Sequence, residues 1–183
     1  RHVVLFEYDL AAVAAKPTPE LPATMRRLSP EDVPAYVAYR DTEPDDIYKR
    51  LASGHVCLAS WWEGKIVGNV WAQPGSVWIE NLDRRLELPP DAVYFYDAWT
   101  VPQMRGRGLA LVRAVVAAKE LQGNGYSRGV AFVLPENKAA LNAPVMLDYR
   151  RAGIAGYVRL GPWRWHFVRG PGIRGASFAA ERA

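Results

Sequence analysis

The sequence predicts an α/β protein of the mixed α+β kind: a central mixed β-sheet flanked by helices. Three observations lead there. β-rich runs at 55–62 and 65–73 flank Glu63-Gly64, a hairpin signal, because glycine tolerates the positive φ of a tight turn. Apolar strands at 92–101 and 127–134 bracket a helical run, the strand–helix–strand order that makes parallel neighbours. Half of the 183 residues are hydrophobic and 23% are charged, too apolar for a disordered chain and enough for one substantial core.

Residues 2–10 read as a short strand. Residues 11–23 hold Pro17, Pro19 and Pro22 and read as a linker or an extended crossing. A brief strand at 24–28 precedes Ser29, an N-cap, and Pro30, which suits the first helical position, so a helix runs to about Arg40. A second helix opens near Pro44, where Asp45 and Asp46 favour its positive end, and stops at Gly54. After the 55–73 hairpin, residues 74–91 read as irregular. The 92–101 strand leads into a helix over 107–122, with Gly123 beyond its end. The 127–134 strand is apolar on both faces. Residues 137–152 predict a helix interrupted at Pro144, strands at 154–160 and 163–168 close the order around Gly161-Pro162, and 169–183 reads as a frayed tail. The organisation is then an N-terminal strand and proline-rich linker over 1–23, one domain over 24–168 and a C-terminal tail.

Composition narrows the function. Lys and Arg total 23 against 19 Asp and Glu, a net charge of +4. Unless clustered, so small an excess is no nucleic-acid footprint. Cys57 is the single cysteine, which excludes a disulfide framework and a multi-cysteine metal site. His2, His55 and His166 lie far apart and make no ligand spacing, so no metal is expected. No apolar run approaches the roughly 20 residues that cross a bilayer, so no membrane partner is expected. The chain begins at Arg1 rather than Met, so a trimmed start is expected. The apolar stretch after Arg1 is broken by Glu7 and Asp9, unlike a signal peptide. A lone cysteine fits a reducing, cytoplasmic setting.

The chemistry concentrates in 92–111. A strand ends at Val101-Pro102, the turn Arg105-Gly106-Arg107-Gly108 follows, and a helix begins at once. Such a turn presents free backbone N–H groups at the positive end of a helix, with two arginines beside them, and suits a phosphate or pyrophosphate. Hydrogen bonds to a charged group contribute roughly 1.5–3 kcal/mol each, so three or four amides hold a diphosphate without side chains. A P-loop is not formed, because no Lys-Ser/Thr follows Gly108. A dinucleotide fingerprint fails as well, with Leu111 at its third glycine position.

This run resembles the GNAT superfamily of acyl-CoA-dependent N-acyltransferases. The family pattern Q/R-x-x-G-x-G/A, shortly after V-x-P, is matched by Arg105-Gly106-Arg107-Gly108-Leu109-Ala110 after Thr100-Val101-Pro102. The second family signature, an Asn after the next strand and then Tyr-x-x-x-Gly-Phe, is matched by Asn137 and by Tyr149-Arg150-Arg151-Ala152-Gly153-Ile154, with Ile for Phe. The resemblance covers 24–168. It implies a GNAT-like fold and acetyl-CoA as co-substrate. Amides of 106–111, with Arg105 and Arg107, would take the pyrophosphate. Backbone of Trp99, Thr100 and Val101 would pair with the pantetheine amides as a pseudo-strand, and Asn137 would contact the cofactor. Tyr149 would protonate the departing thiolate, a phenol of pKa about 10 being close to a thiol. The acceptor amine would attack the thioester directly.

The base departs from the family pattern. The positions where relatives carry Glu hold Tyr96 and Phe132. Asp97 points to the opposite face of a regular strand, though a bulge would turn it. A water-relayed base, Asp97 or Glu80 is expected to remove the amine proton. Tyr94 and Tyr96 are expected to line the acceptor pocket. The acceptor is read as a small-molecule or sugar amine. A protein or peptide amine, or a non-catalytic CoA-binding sensor, is the alternative, and a homodimer is left open. Plainer roles stand beside these: Tyr149 packing on the sheet, Asn137 capping a helix, Asp97 making structural hydrogen bonds, Cys57 and His166 filling strand positions.

Overall fold

The computed structural model describes residues 1–138, 140, 141, 147 and 149–179. Its main sheet has eight strands: β1 (His2–Asp9), β2 (Thr24–Arg27), β3 (Val56–Trp62), β4 (Lys65–Pro74), β7 (Ala92–Thr100), β8 (Arg128–Val133), β9 (Arg150–Leu160) and β10 (Trp163–Arg169), in the order β10-β9-β1-β8-β7-β4-β3-β2. A second, three-stranded sheet is made by β5 (Ser76–Ile79), β6 (Arg84–Glu87) and β11 (Ser177–Ala179). Four helices described along their whole length are α1 (Leu10–Ala14), α2 (Val33–Arg40), α3 (Pro44–Ala52) and α4 (Leu109–Gly123). The predicted mixed sheet flanked by helices is present. No helix among the described residues is long and apolar enough to cross a membrane.

The N-terminal strand is not peripheral. β1 lies between β8 and β9, antiparallel to both, and residues 3–8 are all buried. One of them is charged. Glu7 is 2% exposed and accepts hydrogen bonds from Arg128 of β8 at 3.1 Å, from Arg174 at 3.2 Å and from Arg150 of β9. Burial pushes its carboxyl up, but the hydrogen bonds from Arg150 and Arg128 outweigh that and hold it below its ordinary pKa. The central strand is thus tied to two neighbours and to the C-terminal segment by one satisfied buried charge.

Four expectations change. Residues 74–91 are not irregular: β5 and β6 form a hairpin whose Val77, Ile79 and Leu86 are buried. The 169–183 segment is not frayed where it is described: Ile173 is buried and β11 pairs with β6. The 11–23 stretch opens as α1, with Asp9 capping the Ala11 N–H at 2.8 Å. The helix expected to run to Ala152 does not: β9 already begins at Arg150, so Tyr149 immediately precedes a strand. The reason is pairing with β1, which begins at Glu7↔Arg150, with β10 joining on the other edge from Ile154. Gly153, at φ 131, lets the Arg169 backbone approach so closely that a Cβ would overlap its carbonyl oxygen. Pro144 and its neighbours within 142–146 lie outside the described residues.

β7 and β8 are parallel, the remaining pairs antiparallel. The β7–β8 ladder runs from Ala92↔Arg128 to Phe95↔Ala131 and ends there. β7 continues to Thr100 against β4, while β8 stays with β1, so the sheet forks after Phe95. α4 starts just past the end of β7, on one face of the fork. That face packs Phe95, Ala131, Tyr8 and Tyr149 with Ala117, Ala118 and Leu121 of α4. The opposite face carries Trp71 and Tyr96 against α2 and α3, and Tyr94 and Phe132 further along.

Candidate active site

The turn between β7 and α4 has the geometry its sequence predicts. Gly106 and Gly108 take φ 74 and φ 83, left-handed values that a side chain disfavours. Gly108 is the N-cap of α4, and the first bond into the helix runs from the Val112 N–H to the Gly108 carbonyl at 3.1 Å. The N–H groups of Leu109, Ala110 and Leu111 therefore have no partner within the helix. Arg105, Gly106 and Arg107 are exposed. Space around Gly106 is open, whereas a Cβ at Gly108 would come within 2.8 Å of the Pro19 ring. The proline-rich segment thus runs past the start of α4.

At the fork the backbone alternates. The Val101 N–H donates to Val67 of β4 at 3.0 Å, so the Thr100 N–H and carbonyl face the gap. Arg105 Nε donates to that carbonyl at 3.0 Å. The Arg105 guanidinium also lies 4.8 Å from the Trp99 ring centroid, and Arg40 approaches the same ring at 5.0 Å. Beneath Thr100 sits Arg113 of α4, 4% exposed, donating to Ser60 Oγ at 3.1 Å and Thr100 Oγ1 at 3.3 Å. Burial pushes its pKa down to about 10. Gly68 leaves room for it, since a Cβ there would overlap the guanidinium.

Asp97 is where β7 bulges. The register with β4 shifts between Asn69 and Trp71, and Asp97 has φ 48, a rare conformation for a non-glycine residue. The bulge turns the carboxylate toward α2 and α3: Oδ1 accepts from Arg40 at 2.7 Å and Oδ2 from Arg50 at 3.1 Å. Both oxygens are occupied by guanidinium groups. Asn69, fully buried, donates its side-chain amide to the Asp97 carbonyl and accepts from Tyr39 at 3.1 Å.

The tyrosines divide between the two faces. Tyr94 and Tyr96 stack at 5.7 Å and 10°, with Phe132 beyond Tyr94 at 4.9 Å and Trp71 beyond Tyr96 at 6.2 Å. The Tyr96 hydroxyl lies 2.7 Å from His55 Nδ1. Tyr149 is on the other face, stacked on Tyr8 at 3.9 Å and 10°. Burial raises the pKa of Tyr149, as it does those of Tyr8 and Tyr96, so all three phenols stay protonated at neutral pH.

Asn137 caps the helical turn that follows β8, its Oδ1 accepting the Ala140 N–H at 3.1 Å. Glu80 is not brought to the fork; it lines a surface cleft with Arg1, Asp83 and Tyr157 at the β9–β10 end. Cys57 is fully buried and its thiol is pushed up by burial, a packing role. His166 bonds the Leu82 carbonyl at 2.9 Å, also structural. No local motif marks Arg40, Arg50, His55 or Arg113 for this site. They come from α2, α3, the turn before β3 and the second turn of α4, and only the fold assembles them.

No protein-family model and no curated protein matches the sequence. Solved structures do match. The aminoglycoside N-acetyltransferase AAC(6')-Iy in complex with CoA aligns at TM-score 0.57 and 17% identity, over 70% of this chain and 88% of that one. A putative GNAT-family acetyltransferase from Novosphingobium aromaticivorans aligns at 0.53 and 21%, over 84% and 62%. A functionally unknown conserved protein from Staphylococcus epidermidis aligns at 0.58 and 9%, so this chain spans 58% of that protein's length. The class defined is one of fold: the architecture is that of the GNAT-family and aminoglycoside acetyltransferases it aligns with.

Proposed function

We propose that this chain transfers an acetyl group from acetyl-CoA to the amine of a small-molecule or sugar acceptor. The observation that carries the reading is the amide-rich start of α4, shaped by left-handed Gly106 and Gly108 and set beside the β7–β8 fork. The CoA-bound and aminoglycoside-acetylating neighbours of the same fold support it.

In this reading the N–H groups of 106–111 hold the pyrophosphate, with Arg105 and Arg107 adding charge. Thr100, flanked by Trp99 and Val101, offers its free N–H to the pantetheine amides, with its carbonyl joining once Arg105 turns to the pyrophosphate, and Asn137 borders the cofactor. The thioester then lies in the fork. The amine attacks its carbonyl carbon, the C–S bond breaks, and the thiolate takes a proton from Tyr149, which burial keeps protonated. Asp97, clamped between Arg40 and Arg50, shapes the acceptor side, where Tyr94 and Tyr96 form an aromatic wall.

The test has two stages. Acetyl-CoA at about 100 times its Kd stabilises the fold by about 2.7 kcal/mol, read as a thermal shift. No shift with any CoA thioester refutes both the enzyme and the sensor readings. Thiol release is then screened over amines and peptides; silence with every one assigns the chain to CoA sensing instead. In an active enzyme, Tyr149→Phe lowers turnover about 100-fold with acetyl-CoA affinity unchanged. Unchanged turnover removes its acid role.

A further inference from the structure

We propose that His55 and Tyr96 form a two-member proton relay that deprotonates the acceptor amine. The inference rests on the acetyl-transfer reading above and supplies the base that the fork otherwise lacks.

Position comes first. Tyr96 is the first residue of β7 beyond the last β7–β8 pair, Phe95↔Ala131, so it stands at the mouth of the fork. It belongs to the face opposite Tyr149, packed with Trp71 below α2 and α3. An amine attacking the thioester from that side therefore approaches past the Tyr96 ring, and the departing sulfur leaves toward Tyr149. The two ends of the reaction each meet a phenol.

Geometry comes second. His55 Nδ1 lies 2.7 Å from the Tyr96 hydroxyl, and the ring planes are 88° apart with centroids at 5.8 Å. The contact is therefore made by a ring nitrogen and not by stacked faces. His55 is fixed by the chain before it: α3 ends at Ala52, Gly54 turns at φ 80, and the His55 N–H donates to the Arg50 carbonyl at 3.1 Å.

The surroundings decide which way the proton moves. Arg50 lies 5.5 Å from the Tyr96 ring centroid, with Asp97, Tyr36, Cys57 and Trp71 completing the neighbourhood. Asp97 has both oxygens engaged by Arg40 and Arg50 and is not free to take a proton from substrate. Burial, helped by the Arg50 charge, holds His55 below its usual pKa. The imidazole is thus neutral at pH 7, with Nδ1 open as an acceptor. Burial raises Tyr96, so the phenol does not keep a negative charge on its own and must pass its proton on.

The step balances as follows. The acceptor ammonium donates an N–H proton to Tyr96 Oη as the phenolic O–H proton moves to His55 Nδ1. The amine lone pair is freed, Tyr96 ends as it began, and His55 becomes imidazolium. The half-buried imidazolium gives one proton to water and returns through exchange with water to the Nε2–H tautomer, which frees Nδ1 to accept again.

The test follows thiol release from acetyl-CoA with tryptamine, tyramine, glucosamine and kanamycin as probes. His55→Gln and Tyr96→Phe are each expected to lower kcat/KM about 100-fold while KM for acetyl-CoA is unchanged. The inflection in the wild-type pH profile, placed below 6.5 by His55, disappears in His55→Gln. The double variant loses no more than either single one, because the pair acts as a unit. Wild-type kcat/KM in either variant, an unaltered pH profile in His55→Gln, or additive losses overturn the relay and leave the transfer reading intact. Wild-type silence with every probe refutes the relay together with the small-amine reading.

Discussion

On the α4 side of the fork, the groups offered to a ligand come from one stretch of chain, 105–111, and most are backbone. On the α2–α3 side, Arg40, Arg50, His55, Trp71, Tyr96 and Asp97 come from four separate elements and the turn before β3, and all act through side chains. The first surface is made by conformation: two glycines in left-handed φ and a helix start. The second is made by assembly: a bulge in β7, two guanidinium groups on one carboxylate, and a His–Tyr contact between residues 41 apart in sequence. A diphosphate site of the first kind needs little from the rest of the fold. A surface of the second kind changes with any residue brought to it.

The largest effect is expected outside both surfaces, which separates folding from function. Glu7→Gln leaves three arginines around a neutral amide in the centre of the sheet and costs about 3–5 kcal/mol of stability. Its pH counterpart follows from the lowered pKa. A carboxyl held below its unfolded value contributes stability above that value, near pH 4, and loses it as pH falls through the folded value. Acid unfolding of the wild type is therefore steeper below pH 4 than that of Glu7→Gln, measured by thermal melts across pH. Equal slopes would mean that Glu7 is no such anchor.

Next is Gly106→Val. Its Cβ meets nothing, so stability changes through φ alone, while the loop amides lose their aim. Loss of two charge-assisted bonds corresponds to about 3 kcal/mol, or acetyl-CoA binding weaker by roughly 100-fold in calorimetry. Gly108 is a poorer probe, because its substitution disturbs Pro19 before it reaches a ligand. Unchanged affinity in Gly106→Val would break the contrast, since the loop would then not be the ligand surface.

The smallest effect is at Asp97→Asn. Removing the charge between Arg40 and Arg50 weakens the acceptor side by about 1–2 kcal/mol in a thermal melt, with acetyl-CoA affinity unaltered. A loss of cofactor affinity as large as that of Gly106→Val would show that the two surfaces are not independent.

The same contrast explains what the sequence revealed. The 105–110 turn was legible because glycine spacing after a strand dictates its geometry locally. The mixed sheet was legible from hairpin and crossover signals. The central place of β1 was not, because a strand's neighbours are chosen by the whole sheet and six buried residues in a row name no partner. The β5–β6 hairpin escaped because Arg84-Arg85-Leu86-Glu87 has one apolar residue, and its pairing with β11 spans ninety residues of chain. The backbone state of Tyr149 is not legible because a motif fixes spacing and not conformation; pairing with β1 decides that β9 begins at Arg150. The turning of Asp97 needed a bulge, which alternation cannot show, and His55 carried no local motif at all.

The central claim is that acetyl-CoA is held by the start of α4. The most direct measurement is an amide NMR titration of the full chain with acetyl-CoA. The account predicts that the N–H signals of 106–111 and of Thr100 shift first and saturate at one equivalent. Saturable binding that leaves those signals in place, or no binding at all, would contradict it.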